Sequence, residues 1–279
     1  MTTTIAITSG KGGVGKTTIA VNLALSLTLQ KKETLLLDAD LGMANAHILL
    51  GINPKLSLDD FINGNLELTN VITTTKNNLK FVSGGNAINN LLNLSDLERH
   101  KIIKSFNDIA KKPEFMIIDV GAGAEASSMT FMASSDKVIV VLTGEPTSFI
   151  DAYTLIKTSF LDYKMNNFGI IVNLSNSPLQ AKLNFDKFQS ITHKFLDVNL
   201  KYLGHIPTSQ KIKNSIISRS ALITSESQSP EANAFNEISS KLSLVEANKT
   251  GSIIPCILIH MLLNGISTIP LIYIVLSHA

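Results

Sequence analysis

The 279-residue chain carries a single cysteine, Cys256. One thiol cannot build a disulfide framework or a cysteine cage for a metal within the chain. Charge of one sign is also lacking: 24 Lys and Arg against 22 Asp and Glu leave a net +2. That balance gives no strong basic field of the kind nucleic acid calls for. The six histidines, His47, His100, His193, His205, His260 and His278, nowhere fall at metal-ligand spacing. There is no internal repeat, and no secretory leader precedes the first strand-like run. The expectation is a cytoplasmic main body with no resident metal cage.

What is present begins at Gly10. Gly10, Gly15, Lys16 and Thr17 fit G-x-x-x-x-G-K-[ST], the phosphate-binding loop. Glycine lets the backbone turn tightly and bring N–H groups close to phosphate oxygens. Lys16 reaches the β and γ phosphates as a point charge, and Thr17 offers a hydroxyl to Mg²⁺. The context fits: "TIAIT" (Thr4–Thr8) reads as a buried strand, and "TTIAVNLALSLTLQ" (Thr17–Gln30) has helical periodicity. Gly10, Lys11, Gly12, Gly13, Val14, Gly15, Lys16, Thr17 and Thr18 are therefore the expected nucleotide contacts. A second lysine, Lys11, is more than such a loop requires.

Strand-like and helix-like segments alternate through the body, which predicts an α/β fold with a mostly parallel sheet and helices on both faces. Expected strands are Thr4–Thr8, Thr34–Asp38, Leu79–Val82, Phe115–Asp119, Lys137–Leu142, Phe168–Val172 and Lys201–His205. A helix is expected over Asn89–Lys112, where Ser95 and Glu98 have capping-box spacing. In open α/β sheets the chemistry sits at the carboxyl ends of the strands. One such end carries Asp38 and Asp40, which hold a metal water, orient an attacking water, or cap the following turn. Another, "FMIIDVGAG", ends in Asp119, a candidate Mg²⁺ acid followed by Gly121 and Gly123. Two late ends offer Asn173 and Pro207.

"KGGVGKTT" resembles the deviant phosphate loop of the ParA/MinD ATPases. The resemblance implies ATP and Mg²⁺ as cofactors and slow, partner-stimulated ATP hydrolysis. It assigns Lys11 to the phosphates of a partner's nucleotide, so that ATP closes a homodimer. It places Lys11, Lys16 and Asp40 in catalysis, Asp40 positioning the water, with Thr17, Asp38 and Asp119 around the metal. Asn173 and Pro207 would flank the adenine. In that family an acid often follows the proline by two residues; here the position is Ser209.

Three stretches resemble the FlhG/FleN branch: "LLLDADLGMANAHILLGINPKLSLDDFINGNLEL", "GEPTSFIDAYTLIK" and "LSNSPLQAKLNFDKFQSITHKFLDVNLKYLGHIP". The branch limits flagellar number as antiactivators of a flagellar master transcription factor, and many members work with the GTPase FlhF. Some carry a glutamine-containing N-terminal extension that stimulates FlhF; the first strand here begins almost at Met1. The rival is a MinD- or ParA-like regulator of division or DNA partition, for which Lys211, Lys213 and Arg219 form a thin basic candidate.

Composition divides the chain into an ATPase body, 1–249, and an uncharged tail, 250–279. Ile253–Leu276 is long enough to span a bilayer. Pro255, Gly265 and Pro270 weaken an uninterrupted helix there. Two readings stand side by side: an anchor at the inner face of the membrane, or a non-native end from an altered reading frame.

Overall fold

The computed structural model describes residues 2–40, 45–64, 66–84 and 112–244. The helix expected over Asn89–Lys112 and the tail lie outside them, Lys112 excepted.

The strands are β1 (Thr3–Thr8), β2 (Thr34–Ala39), β3 (Thr73–Thr74), β4 (Lys80–Ser83), β5 (Phe115–Val120), β6 (Lys137–Leu142), β7 (Asn167–Ser175) and β8 (Asn199–Pro207). The helices are α1 (Lys16–Leu29), α2 (Ala46–Leu49), α3 (Leu58–Asn63), α4 (Leu68–Val71), α5 (Ala126–Ala133), α6 (Pro146–Tyr163), α7 (Pro178–His193), α8 (Gln210–Ile217), α9 (Leu222–Ser225) and α10 (Pro230–Leu244). The eight strands form one sheet in the order β3-β4-β2-β5-β1-β6-β7-β8. All pairings are parallel except β3 with β4.

Strands covered on both faces need apolar residues at every position, and they have them. Ile5 and Ile7 of β1, Phe115 and Ile117 of β5, and Ile139 and Val141 of β6 join the core beneath α1 and α10. Their neighbours in sequence, Ala6, Met116, Ile118, Val138 and Val140, point the other way, into the core shared with α5, α6 and α7. The period-2 alternation of a strand thus builds two cores from one sheet. α10 is registered on α1 by a polar seam inside the apolar contact. The Ser26 hydroxyl donates to Asn236 Oδ1 at 2.6 Å, and Gln30 Nε2 donates to Ser239 Oγ at 2.7 Å.

The parallel order puts the carboxyl ends of β2, β5, β1, β6, β7 and β8 along one edge. β1 lies inside, between β5 and β6. Its exit loop therefore opens where the connections diverge to the two sides, the place an open α/β sheet offers to a ligand.

Candidate functional site

The loop after β1 turns through left-handed backbone at Gly13 (φ 78°) and Gly15 (φ 88°). Gly15 is the N-cap of α1 and offers no side-chain cap, and the first turn of α1 carries no acid. The first N–H groups of α1 are thus left to an anion, with the positive end of the helix dipole behind them. Two glycines are demanded by close approach. A Cβ on Gly10 would collide with the backbone of Asp151 and Ala152 in α6, and one on Gly15 with the Asn173 amide. At Gly12 a Cβ would meet nothing within 4 Å, so the outer side of the loop is open.

Lys16 is buried, and its Nζ lies 3.1 Å from Asp40 Oδ2 and 3.8 Å from Asp119 Oδ1. Asp119, fully buried at the end of β5, has no well-formed hydrogen bond to either carboxylate oxygen. Burial pushes its pKa up to about 6, against the pull of the Lys16 charge and the Thr17 hydroxyl. Asp38 is its neighbour across the β2–β5 pairing. Burial, reinforced by Asp119, pushes Asp38 up to about 7. Both Asp38 oxygens are engaged by the loop that follows: Asp40 N–H donates to Oδ1 at 3.4 Å and Ala46 N–H to Oδ2 at 3.1 Å. Asp38 is therefore engaged by Asp40 and Ala46, while the Asp119 oxygens face Lys16 and Thr17 without a well-formed hydrogen bond.

An orphaned, buried carboxylate beside a phosphate cradle fits Mg²⁺ in the form that ion takes with nucleotides. Mg²⁺ needs only one or two protein oxygens there, because phosphates and water complete its shell. Among the described residues no three His, Cys, Asp or Glu side chains form a metal cluster of their own. Asp119 and the Thr17 hydroxyl could hold the ion.

The glycine loop after β5 is fastened to the phosphate loop. Gly123 (φ 84°) donates its N–H to the Ser9 carbonyl at 2.8 Å, and the Thr8 hydroxyl donates to the Gly121 carbonyl at 3.3 Å. On the other flank the Asn173 amide donates to the Val14 carbonyl at 2.6 Å. The β7–β8 register shifts just after Asn173, where β7 carries an extra residue; Leu174, within it, has φ 54°. Such bulges lie often beside functional sites because they redirect a chain after a placed side chain. Pro207 ends β8 opposite Ser175, and Thr208 N–H donates to the Ser175 carbonyl at 2.9 Å.

Lys11 does not join this cluster. Its Nζ reaches outward to Glu145 Oε2 at 3.4 Å and Thr147 Oγ1 at 3.5 Å, with the lysine side chain 44% exposed. Glu145 and Thr147 lie in the "EPTS" stretch. Their link to Lys11 is a tertiary contact that sequence spacing does not reveal. Ser209 caps α8 by accepting the Lys211 N–H at 3.1 Å, a task serine performs as well as an acid. The basic candidate on α8 is weakened: Lys211 pairs with Glu226 at 3.3 Å. Among the described residues, no helix is long and apolar enough to cross a membrane.

Comparison with known proteins follows this geometry. The ParA family model, described as the NUBPL iron-transfer P-loop NTPase, matches residues 1–243. The antiactivator FleN of Pseudomonas aeruginosa is 36% identical over 238 residues, covering 85% of this chain and 85% of that protein. The flagellum site-determining protein YlxH of Helicobacter pylori is 29% identical over 219 residues, covering 78% and 74%. Among solved structures, the septum site-determining protein MinD of Pyrococcus horikoshii, complexed with Mg-ADP, superposes with a TM-score of 0.69. It is 23% identical and covers 90% of this chain and 99% of that one.

Proposed function

From membership of the ParA/MinD family of P-loop ATPases, to which this chain belongs, we propose that the protein is an ATP-switched regulator of flagellar number of the FlhG/FleN kind. The observation that carries the reading is the likeness to the antiactivator FleN across the ATPase body. The iron-transfer description of the family model does not carry over, because the only cysteine is Cys256.

The reaction is ATP hydrolysis to ADP and phosphate. The α1 N-terminus and Lys16 bind the phosphates; the incoming charge takes Lys16 from Asp40. Asp40 then orients the attacking water. Bound Mg²⁺ supplies neutralisation of charge developing on the phosphoryl oxygens. Asp119 and Thr17 would hold that ion, and Asp38 positions Asp40 through the Asp40 backbone N–H. Lys11 is exposed and tethered by a long hydrogen bond to Thr147 and a surface ion pair to Glu145, the latter of the class worth about 0–1 kcal/mol. It is available to a second copy, where a cation in trans stabilises the transferring phosphoryl group. Asn173 and Pro207 frame the base. Gly121 and Gly123, tied to Ser9 and Thr8, report loss of the γ phosphate to the dimer face. The body, 1–249, carries this switch; the tail, 250–279, is a separate unit.

In a flagellated host, deletion of the gene raises the number of flagella per cell, counted by electron microscopy, and the wild-type gene restores it. Unchanged flagella with misplaced septa or lost plasmids would move the assignment to the MinD/ParA reading. The likeness to YlxH favours a second reading within the same experiment, in which flagella keep their number and lose their place. Pull-down with ATP from the same host tests a master transcription factor and an FlhF-type GTPase as partners.

A further inference from the structure

The shortest tie between the carboxyl edge of the sheet and α10 is one hydrogen bond. The Ser209 hydroxyl donates to Glu231 Oε1 at 2.5 Å. Ser209 lies two residues past the end of β8, and Glu231 sits in the first turn of α10. The hydroxyl's one donor is committed to Glu231, and its oxygen also accepts the Lys211 N–H. Glu231 Oε2 is buried and has no hydrogen-bond partner among the described residues. The Ser209 hydroxyl first, and then Glu231's own backbone N–H, the Lys211 charge and the Ser229 hydroxyl, keep its pKa below the ordinary range, and the helix N-terminus favours its charge.

What the bond holds follows from the layout of the site. Asp38 on β2, Asp40 just past its end and Asp119 on β5 lie on one flank of β1. A nucleotide with its terminal phosphate on that flank extends its base toward the other, over β7 and β8. There the contacts form a continuous chain. Val14 of the phosphate loop meets Asn173; two residues on, Ser175 meets Thr208; the next residue, Ser209, meets Glu231. α10 is in turn registered on α1 by the Ser26–Asn236 and Gln30–Ser239 bonds. The base-side loop is therefore fixed relative to the very helix whose first turn receives the phosphates.

We infer that the Ser209–Glu231 pair is the clamp that sets the base-side loop, Pro207–Gln210, against the phosphate loop, with Glu231 its positioning residue. The inference rests on the proposed nucleotide orientation. Its effect falls on affinity for the nucleoside end of ATP and leaves the phosphate cradle alone. Preorganisation of this kind lowers what binding must spend on ordering a loop.

The test compares ATP with inorganic tripolyphosphate, both with Mg²⁺, by calorimetry on the full-length protein. Tripolyphosphate needs only the cradle. In Glu231→Ala, ATP affinity falls about tenfold while tripolyphosphate stays within about twofold of wild type. Glu231→Gln keeps the shape and loses the charge; it shows a smaller loss in the same pattern and serves if the alanine variant does not fold. The exchanged pair, Ser209→Asp with Glu231→Ser, restores an acid–hydroxyl bond in reverse and recovers most of the ATP affinity. ATP affinity unchanged in both single variants overturns the inference. So does a parallel loss of ATP and tripolyphosphate, which marks a general support of the fold, and so does an exchanged pair no better than Glu231→Ala. Failure of the wild-type protein to bind ATP is a different result: it removes the nucleotide reading itself.

Discussion

Lys16 sits between two carboxylates, and that arrangement sets the behaviour of the whole cluster. Removing it leaves Asp119 buried beside Asp38 with its nearest cation gone, as well as the cradle without its charge. Lys16→Ala lowers ATP affinity by a factor on the order of 100 or more. Lys11→Ala, changing an exposed side chain, leaves ATP binding within about threefold and abolishes ATP-dependent dimerisation and turnover. Calorimetry, light scattering and phosphate release measure the three properties; a Lys11→Ala protein that dimerises and hydrolyses normally removes the trans role. The acids predict a pH dependence. Burial pushes Asp38 up to about 7 and Asp119 up to about 6, above the ordinary carboxylate value of 3.8. Between about pH 4 and pH 7 the native protein therefore holds more protons than the unfolded chain, and stability falls as pH rises through that window. Protein stripped of nucleotide and Mg²⁺ by chelation is less stable at pH 8 than at pH 5, by on the order of 2–4 kcal/mol in denaturant melts. Loading Mg²⁺ and nucleotide at pH 6.5 releases protons, seen as a dependence of the binding enthalpy on buffer ionisation. A flat stability profile over pH 5–8 contradicts this account of the two aspartates.

At the scale of elements, the phosphate loop and α6 are built for each other. Gly10 lies against the peptide joining Asp151 and Ala152, and any Cβ there displaces helix backbone, which cannot yield as a side chain does. Gly10→Ala lowers stability by on the order of 3 kcal/mol or more, read from chemical melts, and weakens ATP binding as well. A variant with wild-type melting refutes that packing. This contact was not legible in the sequence: the motif demands Gly10 without saying what it touches. The strands were legible because each is an apolar run buried on both faces. Lys137–Leu142 is observed as expected, and the others differ by up to three residues at an end. β3 escaped notice, since Thr73–Thr74 is too short to show alternation and gains its pairing from Lys80 and Phe81. The bulge at Leu174 was equally hidden, because a leucine at φ 54° has no propensity signal. Site residues within one motif could be read directly. Those joined through space, Glu145 to Lys11 and Glu231 to Ser209, could not, because spacing along the chain carries no record of them.

The described body ends with α10, and the sequence beyond it includes an uncharged stretch, 250–279. If Ile253–Leu276 anchors the protein, apolar burial alone holds it on lipid. Flotation with liposomes then persists in ADP and at high salt, whereas attraction to anionic lipid is screened within about 10 Å at 0.1 M. A protein ending at Lys249 does not float. Flotation only with ATP, released by salt, rejects the anchor, and a truncated protein that restores flagellar control alone supports the altered-frame origin of the tail. One property of the sheet reaches back to synthesis. Strand β1 has no partner until β5 and β6 exist, since Thr3 pairs with Phe115 and Ile5 with Lys137. The base-side loop comes later still, after β8, and α1 meets its partner α10 at the end of the described body. Pairings so distant in sequence form slowly and late. The phosphate loop, although it precedes both β5 and β6 in the chain, is thus shaped only when nearly the whole described body has been made.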